Sequence, residues 1–343
     1  MFWPFQMFVR NASGQGITDG SCNEAGIQLS SAWRSVAAPG EAQVARTRKN
    51  GEMNVEERNT HTWVLAGFPL WGPFRAAMRL VCGLFWVIAC YGTLWVVSPL
   101  WFLSPIAAHR VQKKVARCWV HGLRGMLGIR LTEIGSPPKP PYFLVFNHLS
   151  WADFIAVNVL LDACCVLQAE DESFPLVGKL MTCMEPFFIK RQKREDADRV
   201  VLLMTKAIQS GKSVMLAPEG IVGPGREVRH FHAALFESAI VTKMPVHYLS
   251  ITYKTPEGCA PPSKVALFGP DPCFRTPEGK IPDSEIEAWG PERSFVVHLL
   301  RLLALPWHEI VFRYAPEPIL GTERRQLAKD CQDAVQAIFT PVE

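Results

Sequence analysis

The sequence predicts an α/β protein: a layered mixed sheet flanked by helices, behind an N-terminal membrane-embedded helical segment. Three observations lead there. From about residue 131 onward, short β-branched or aromatic runs alternate with stretches of helical periodicity. Residues 80–108 contain no Asp, Glu, Lys, Arg or His. Prolines and glycines fall where one run gives way to the next.

Residues 1–60 are rich in Gly, Ser, Asn, Arg and Glu and hold few large apolar groups after Phe8. They predict a disordered or non-native extension, with Met53 as an alternative start. Residues 75–130 follow as a membrane-embedded segment and a basic interfacial helix. As one helix, the uncharged run would reach about 43 Å against a hydrocarbon core of about 30 Å. With Gly83, Gly92, Pro99 and Pro105 inside it, the run fits a tilted span with an interfacial extension or two helices bent into one leaflet. His109, Arg110, Lys113, Lys114, Arg117, Arg124 and Arg130 come next, the pattern of a helix lying on anionic headgroups. Their position predicts an inner (cytoplasmic) membrane protein whose remaining domain faces the cytoplasm. A cleaved signal peptide is not expected, because the apolar run starts far from the N-terminus and is too long.

Residues 131–343 form one predicted domain. The run Tyr142-Phe143-Leu144-Val145-Phe146, after prolines 137, 138, 140 and 141, reads as a buried strand, and a helix follows from Trp151. Cys164–Gln168 and the run after Pro186 read as strands. Residues 195–210 read as a helix with Val200, Leu203, Met204, Ala207 and Ile208 on one face, ended by Gly211. Strands are predicted at 213–217, 246–251, 265–268 and 310–314, and helices near 231–241 and 295–303. Thr322 is placed to cap a last helix running to about Phe339, with Leu327, Cys331, Val335 and Ile338 facing the core.

Composition narrows the function. The net charge of +4 is mild, and no basic tract interleaves with aromatics, which argues against nucleic-acid binding. Ten cysteines show no CxxC pair, so free thiols in a reducing compartment are expected. His230 and His232 lack a third ligand at suitable spacing, so no metal is predicted. Gly223-Pro224-Gly225 lacks the strand and helix context of a phosphate-binding loop, and no resident cofactor is expected.

The chemistry points to Asn147-His148-Leu149-Ser150-Trp151-Ala152-Asp153. His148 would stand at the carboxyl end of a strand, where open α/β sheets gather their ligands. On one helix, residues five apart diverge by about 140°. His148 can therefore meet Asp153 only by preceding the helix that Asp153 opens, as a general base with its orienting acid. Ser150 and Asp153 also have capping-box spacing, which alone would make them a helix start and nothing more.

Three later segments decide between these readings: Pro186-Phe187-Phe188-Ile189-Lys190-Arg191, Ala217-Pro218-Glu219-Gly220, and Met244-Pro245-Val246-His247-Tyr248-Leu249-Ser250-Ile251. In this order the four blocks resemble the glycerolipid acyltransferase family, that of 1-acylglycerol-3-phosphate acyltransferase, marked by Asn-His-x4-Asp, Phe-Ile-x-Arg, Pro-Glu-Gly and a late proline-bearing strand. The resemblance implies transfer of a fatty acyl group from acyl-CoA or acyl-ACP to the free hydroxyl of a lysolipid. The first expectation is 1-acyl-sn-glycerol-3-phosphate, giving phosphatidic acid. A lyso-ornithine lipid is the alternative acceptor, and a thioesterase or a catalytically silent lipid-binding membrane protein are competing readings. The implied partners are the lysolipid, the acyl thioester, membrane lipids and, as one possible carrier, acyl carrier protein. His148 would be the base, Asp153 its orienting carboxylate, Arg191 the clamp on the acceptor's anionic group, and Glu219 and Gly220 acceptor-positioning residues. Backbone N–H groups of the 218–220 turn are candidates for the oxyanion. Bacterial relatives of this kind carry a two-helix membrane-embedded motif where residues 80–108 lie. Two positions depart from the pattern: Glu185 replaces the usual glycine, and Ile221 replaces a hydroxyl residue, both where the family binds its acceptor.

Overall fold

The computed structural model describes residues 71–174, 177–190, 194–223, 225–267 and 295–342. The expected extension over residues 1–60 lies outside them.

The apolar segment folds as a hairpin. Helix α1 (Trp71–Val97) starts before the uncharged run and takes in Arg75 and Arg79. It stops ahead of Pro99, which lacks an N–H for the helical ladder. A single turn, α2 (Leu100–Leu103), leads to Ser104 in extended conformation. The Ser104 hydroxyl accepts from the Ala107 N–H at 3.3 Å, and Pro105 opens α3 (Pro105–Leu127), as a cap and N1 proline should. Gly128, at φ +68°, ends that helix in the left-handed conformation that glycine adopts without strain. The two long helices run antiparallel: the Trp86 indole N–H donates to the Trp119 carbonyl at 3.3 Å, directly against Gly122. A Cβ at Gly122 would lie 1.9 Å from Trp86 Nε1, so that crossing needs glycine.

The basic helix packs on the domain along one face: Ala116, Trp119 and Val120 are buried, and Lys113 and Arg117 pair with Asp162 at 3.3 and 2.8 Å. One sequence expectation for this region changes. Arg130 is not on the helix at all. It belongs to β1 (Ile129–Ile134), a strand absent from the sequence reading, where its guanidinium lies 4.2 Å over the Trp307 ring.

Beyond β1 come β2 (Phe143–Phe146), α4 (Ala152–Leu160), β3 (Cys164–Gln168), α5 (Gly178–Thr182), β4 (Phe187–Ile189), α6 (Arg194–Gln209), β5 (Val214–Leu216), α7 (Glu237–Thr242), β6 (Val246–Lys254), α8 (Pro262–Val265), α9 (Phe295–Ala304), β7 (His308–Tyr314) and α10 (Arg324–Ile338). The strands form one mixed sheet in the order β1-β7-β6-β2-β5-β3-β4. The pairs from β6 to β4 are all parallel, β6 meets β7 antiparallel, and β1 is parallel to β7. Central β2 is buried on both faces, which is why it reads as an unbroken apolar run rather than an alternating one. Each such side chain withdrawn from water contributes about 1.5–3 kcal/mol.

The strand expected at 265–268 is not formed at 265–267, the part of it among the described residues. Pro261 and Pro262 start the short helix α8 there, with proline at N1 setting a helical φ. Thr322 does not cap the last helix either. Glu323 does, its carboxylate accepting from the Arg325 and Gln326 N–H groups at 2.9 and 2.7 Å.

The hairpin is fastened to the domain through arginines. Arg75 donates to the Ala304 carbonyl at 2.8 Å, and Arg79 to those of Leu303, Leu305 and Pro306 at 3.1, 2.7 and 2.9 Å. Leu303 and Ala304 lie in the last turn of α9, whose carbonyls lack helical partners, and Leu305 and Pro306 follow directly after it.

Candidate active site

Parallel pairing gathers the motif blocks. Because β4, β3, β5, β2 and β6 point the same way, the segments leaving β2, β5 and β4 all emerge at one end of the sheet. They carry His148, the Pro218-Glu219-Gly220 turn and Lys190. Arg191, the expected clamp, lies outside the described residues.

His148 precedes α4, and Asp153 sits in its first turn. Asp153 Oδ2 reaches back to His148 Nδ1 at 2.9 Å and also accepts from the Leu149 and Ser150 N–H groups at 2.7 and 3.0 Å. The carboxylate thus braces the loop ahead of α4 and holds the imidazole at once; the N-cap residue, Trp151, makes no side-chain cap bond, and the Ser150 N–H contact is the part of the expected capping box that forms. A carboxylate only accepts, so Nδ1 carries the proton and Nε2 keeps its lone pair. Asp153 is 1 % exposed and His148 24 %, which leaves the imidazole in reach of a substrate and its partner out of reach.

Asn147 anchors the loop. Strand β6 runs on past β2, and the Asn147 side chain continues the ladder: its Nδ2 donates to the Ile251 carbonyl at 2.9 Å and its Oδ1 accepts from the Ile251 N–H at 2.7 Å. Two residues further along β6, Tyr253 donates its hydroxyl to Asp153 Oδ1 at 2.6 Å. Neither role was read from the sequence. The signal for Tyr253 was its spacing from Ile251, since alternate strand residues share a face, but the strand had been ended at Ile251.

Glu219 is 3 % exposed, and its Oε1 accepts the His148 backbone N–H at 3.1 Å. Its Oε2 has no hydrogen-bond partner among the described residues. Burial pushes this carboxyl up to about 8; the His148 N–H and the Arg229 charge pull against that rise, and the Asp153 charge adds to it. The Gly223 N–H donates to the His148 carbonyl at 2.6 Å, so His148 is gripped through both its backbone groups. Gly220 adopts φ +74°, and its N–H donates to the Ala217 carbonyl at 3.3 Å. That N–H closes the turn, which weakens its case as an oxyanion donor. Ile221 is buried.

Glu185 finds its partners on α3 and ahead of β5. It holds φ +56°, a left-handed conformation that suits glycine. Its carboxylate takes Lys212 at 2.9 Å, His109 at 3.3 Å and Lys113 at 3.8 Å. Burial raises its pKa, but the Lys212 hydrogen bond and the charges of Lys212, His109 and Lys113 outweigh it and hold the group below its ordinary range. On the other side of the loop, the Trp151 indole N–H donates to His298 Nδ1 at 2.9 Å and the ring packs on Phe295. This bond ties the site to α9.

An acyltransferase family model matches residues 129–252, from β1 to the end region of β6. The lyso-ornithine lipid O-acyltransferase of Pseudomonas aeruginosa is 25% identical over 231 residues, 67% of this chain and 80% of that protein. The 1-acyl-sn-glycerol-3-phosphate acyltransferase of Neisseria meningitidis is 31% identical over 135 residues, 38% of this chain and 52% of its own length. In structure, the 1-acyl-sn-glycerophosphate acyltransferase of Thermotoga maritima matches with a TM-score of 0.50 at 15% identity, covering 77% of this chain and 95% of that one, a likeness of fold.

Proposed function

The chain belongs to the glycerolipid acyltransferase family, and on that premise we propose that it is a membrane-bound O-acyltransferase moving a fatty acyl group from a carrier thioester to the free hydroxyl of a lysolipid. The observation that carries the reading is the 2.9 Å contact between His148 Nδ1 and a buried Asp153, with Nε2 left as the free base.

The chemistry follows from that contact. A neutral hydroxyl is a weak nucleophile, so His148 Nε2 takes its proton as the oxygen attacks the thioester carbonyl. Asp153 stabilises the imidazolium that forms. When the tetrahedral intermediate collapses, the C–S bond breaks and the imidazolium returns its proton to the departing thiolate. The base is regenerated, one ester is made and one thioester is consumed. Base catalysis of this kind is worth roughly 10² to 10⁴ in rate.

The acceptor we favour is 1-acyl-sn-glycerol-3-phosphate, on the four-block order and the Neisseria relatives, with Arg191 as the phosphate clamp. A lyso-ornithine lipid is the second reading, supported by the longer alignment with the Pseudomonas protein. The donor is coenzyme A or acyl carrier protein. For the membrane, residues Trp71–Leu103 are long and apolar enough to cross one, and Phe85, Trp95, Val96, Phe102 and Leu103 stand exposed. We place the domain on the cytoplasmic side of the inner membrane, with the remaining basic side chains of α3 against anionic headgroups.

The test is transfer from a labelled acyl thioester to both lysolipids, comparing the detergent-purified chain with His148→Ala. His148-dependent transfer to one acceptor supports the reading and names the substrate. Acyl release without an acceptor would make it a thioesterase, and lipid binding without turnover in either protein would make it a silent binder.

A further inference from the structure

Asp153 is engaged through both oxygens: Oδ2 holds the imidazole and two backbone N–H groups, while Oδ1 holds the Tyr253 hydroxyl at 2.6 Å. We propose that Tyr253 is a positioning residue for the base, its hydroxyl setting how strongly Asp153 pulls on the His148 Nδ1 proton and hence the pH at which Nε2 becomes free to work. The proposal rests on the reading of His148 as the general base.

The direction of the bond is fixed by chemistry. A carboxylate can only accept, so the phenol donates. Burial and the neighbouring Asp153 charge push the phenol's pKa well above its ordinary value, so the hydroxyl keeps its proton across the working range. The contact is also built into the sheet. Asn147 occupies both backbone groups of Ile251, which locks β6 in register where it outruns β2. Tyr253, two residues on, is thereby delivered to the carboxylate.

From the other side, the Tyr253 ring stacks on His308 of β7, with centroids 6.1 Å apart and planes 10° from parallel. His308 is fully buried, and burial, with the charges of His298 and Arg79, drives its ring down to about 3. It is therefore a neutral platform that does not compete with Asp153 for the phenol. The charged or titratable groups that face Tyr253 and Asp153 include His148, Glu219 with the Arg229 charge beside it, and His308 with His298 and Arg79 behind.

A donated hydrogen bond stabilises the carboxylate and lowers its basicity. Without it, Asp153 would hold the Nδ1 proton more tightly and favour the imidazolium. The acid limb of kcat/KM against pH would then move to higher pH.

The experiment measures that limb for the full chain in mixed micelles with a saturating acyl thioester. Tyr253→Phe is expected to raise it by roughly half a unit to one unit, with the KM for both substrates unchanged. Replacing Tyr253 by the more acidic 3-fluorotyrosine keeps the ring and hydroxyl but strengthens the donor, and should lower the limb. Opposite displacements support the proposal. An unmoved limb in both variants overturns it, whatever happens to thermal stability, because a purely structural tyrosine would alter the melting point and leave the limb in place. His148→Ala is run alongside. If it kept the wild-type rate, the base reading itself would fall and this inference with it; if it is inactive while both Tyr253 variants titrate like wild type, this inference alone fails.

Discussion

Glu219→Gln should flatten the pH dependence of folding stability, by an amount that the burial of Glu219 sets. In the unfolded chain this carboxyl titrates near its ordinary 4.5; in the folded protein it is pushed up to about 8. Its pKa is raised on folding, so its contribution to stability is fully present below 4.5 and is lost as pH rises through 8. Between those values the unfolded state gives up a proton that the folded state keeps, and stability falls by about 1.36 kcal/mol per pH unit. From 4.5 to 7 the loss is about 3 kcal/mol, and it reaches about 4 kcal/mol at 8. Glutamine keeps the acceptor for the His148 N–H but cannot ionise. Its amide would sit where Oε2 has no partner, a cost of about 1–3 kcal/mol that does not change with pH. That cost sets the level of the offset and the titration sets its slope: the variant gains on wild type by about 3 kcal/mol between pH 4.5 and 7. Urea unfolding followed by tryptophan fluorescence, in fixed detergent at half-unit pH steps, reads the difference, since titrating groups not coupled to Glu219 cancel. A difference that stays flat with pH, or declines, would show that Glu219 is ionised in the folded protein and refute the reasoning.

Three further outcomes are expected. Asp153→Asn keeps the shape but loses the acceptor that fixes the His148 tautomer; initial rates should show kcat down by roughly 10²–10⁴ with KM little changed, and an unchanged kcat would remove His148 from the role of base. Gly122→Leu drives a side chain into the Trp86 indole at the hairpin crossing and should cost about 1–3 kcal/mol, read as a lower melting temperature, while an unchanged midpoint would mean that α1 and α3 are not packed there. Glu185→Gly relieves a left-handed φ worth about 1–2 kcal/mol and forfeits ion pairs worth up to about 1 kcal/mol each, so stability should shift by no more than about 1–2 kcal/mol. The ratio of rates on the two lysolipids should stay as in wild type, and a changed ratio would mean that the Glu185 carboxylate reads the acceptor.

The site was more legible than its supports. His148 and Asp153 could be paired from sequence because five-residue spacing across a helix start is a local constraint, and the Pro-Glu-Gly turn could be placed because it follows an apolar run. Tyr253 and His308 could not, since both act across strands 100 or more residues from the loop they brace. The same holds for β1: its alternation of Ile129, Leu131 and Glu133 is too short and too mixed to stand out, and only pairing with β7 makes it a strand. The strand expected at 265–268 failed for the converse reason, an apolar run whose local prolines favoured a helical start. The hairpin was visible as an uncharged stretch with two prolines, but its arginine fastening to α9 depends on carbonyls more than 200 residues away.

Glu185 links these levels. As a departure from the family's glycine, it first suggests a different acceptor, because the residue lies beside the block that carries the clamp. Its backbone holds φ +56° in the turn between α5 and β4, a conformation that glycine takes without strain. Its side chain shows what the replacement adds, since the carboxylate faces His109 and Lys113 on α3 and Lys212 before β5. Two lysines and an imidazole around one carboxylate join the amphipathic helix to the catalytic sheet. The departure is thus accounted for by docking of the hairpin, and the evidence for a non-phosphate acceptor narrows to Ile221 and the relatives. Since Ile221 is buried rather than turned to an open site, its lost hydroxyl also speaks less for a new acceptor than its place in the motif suggests.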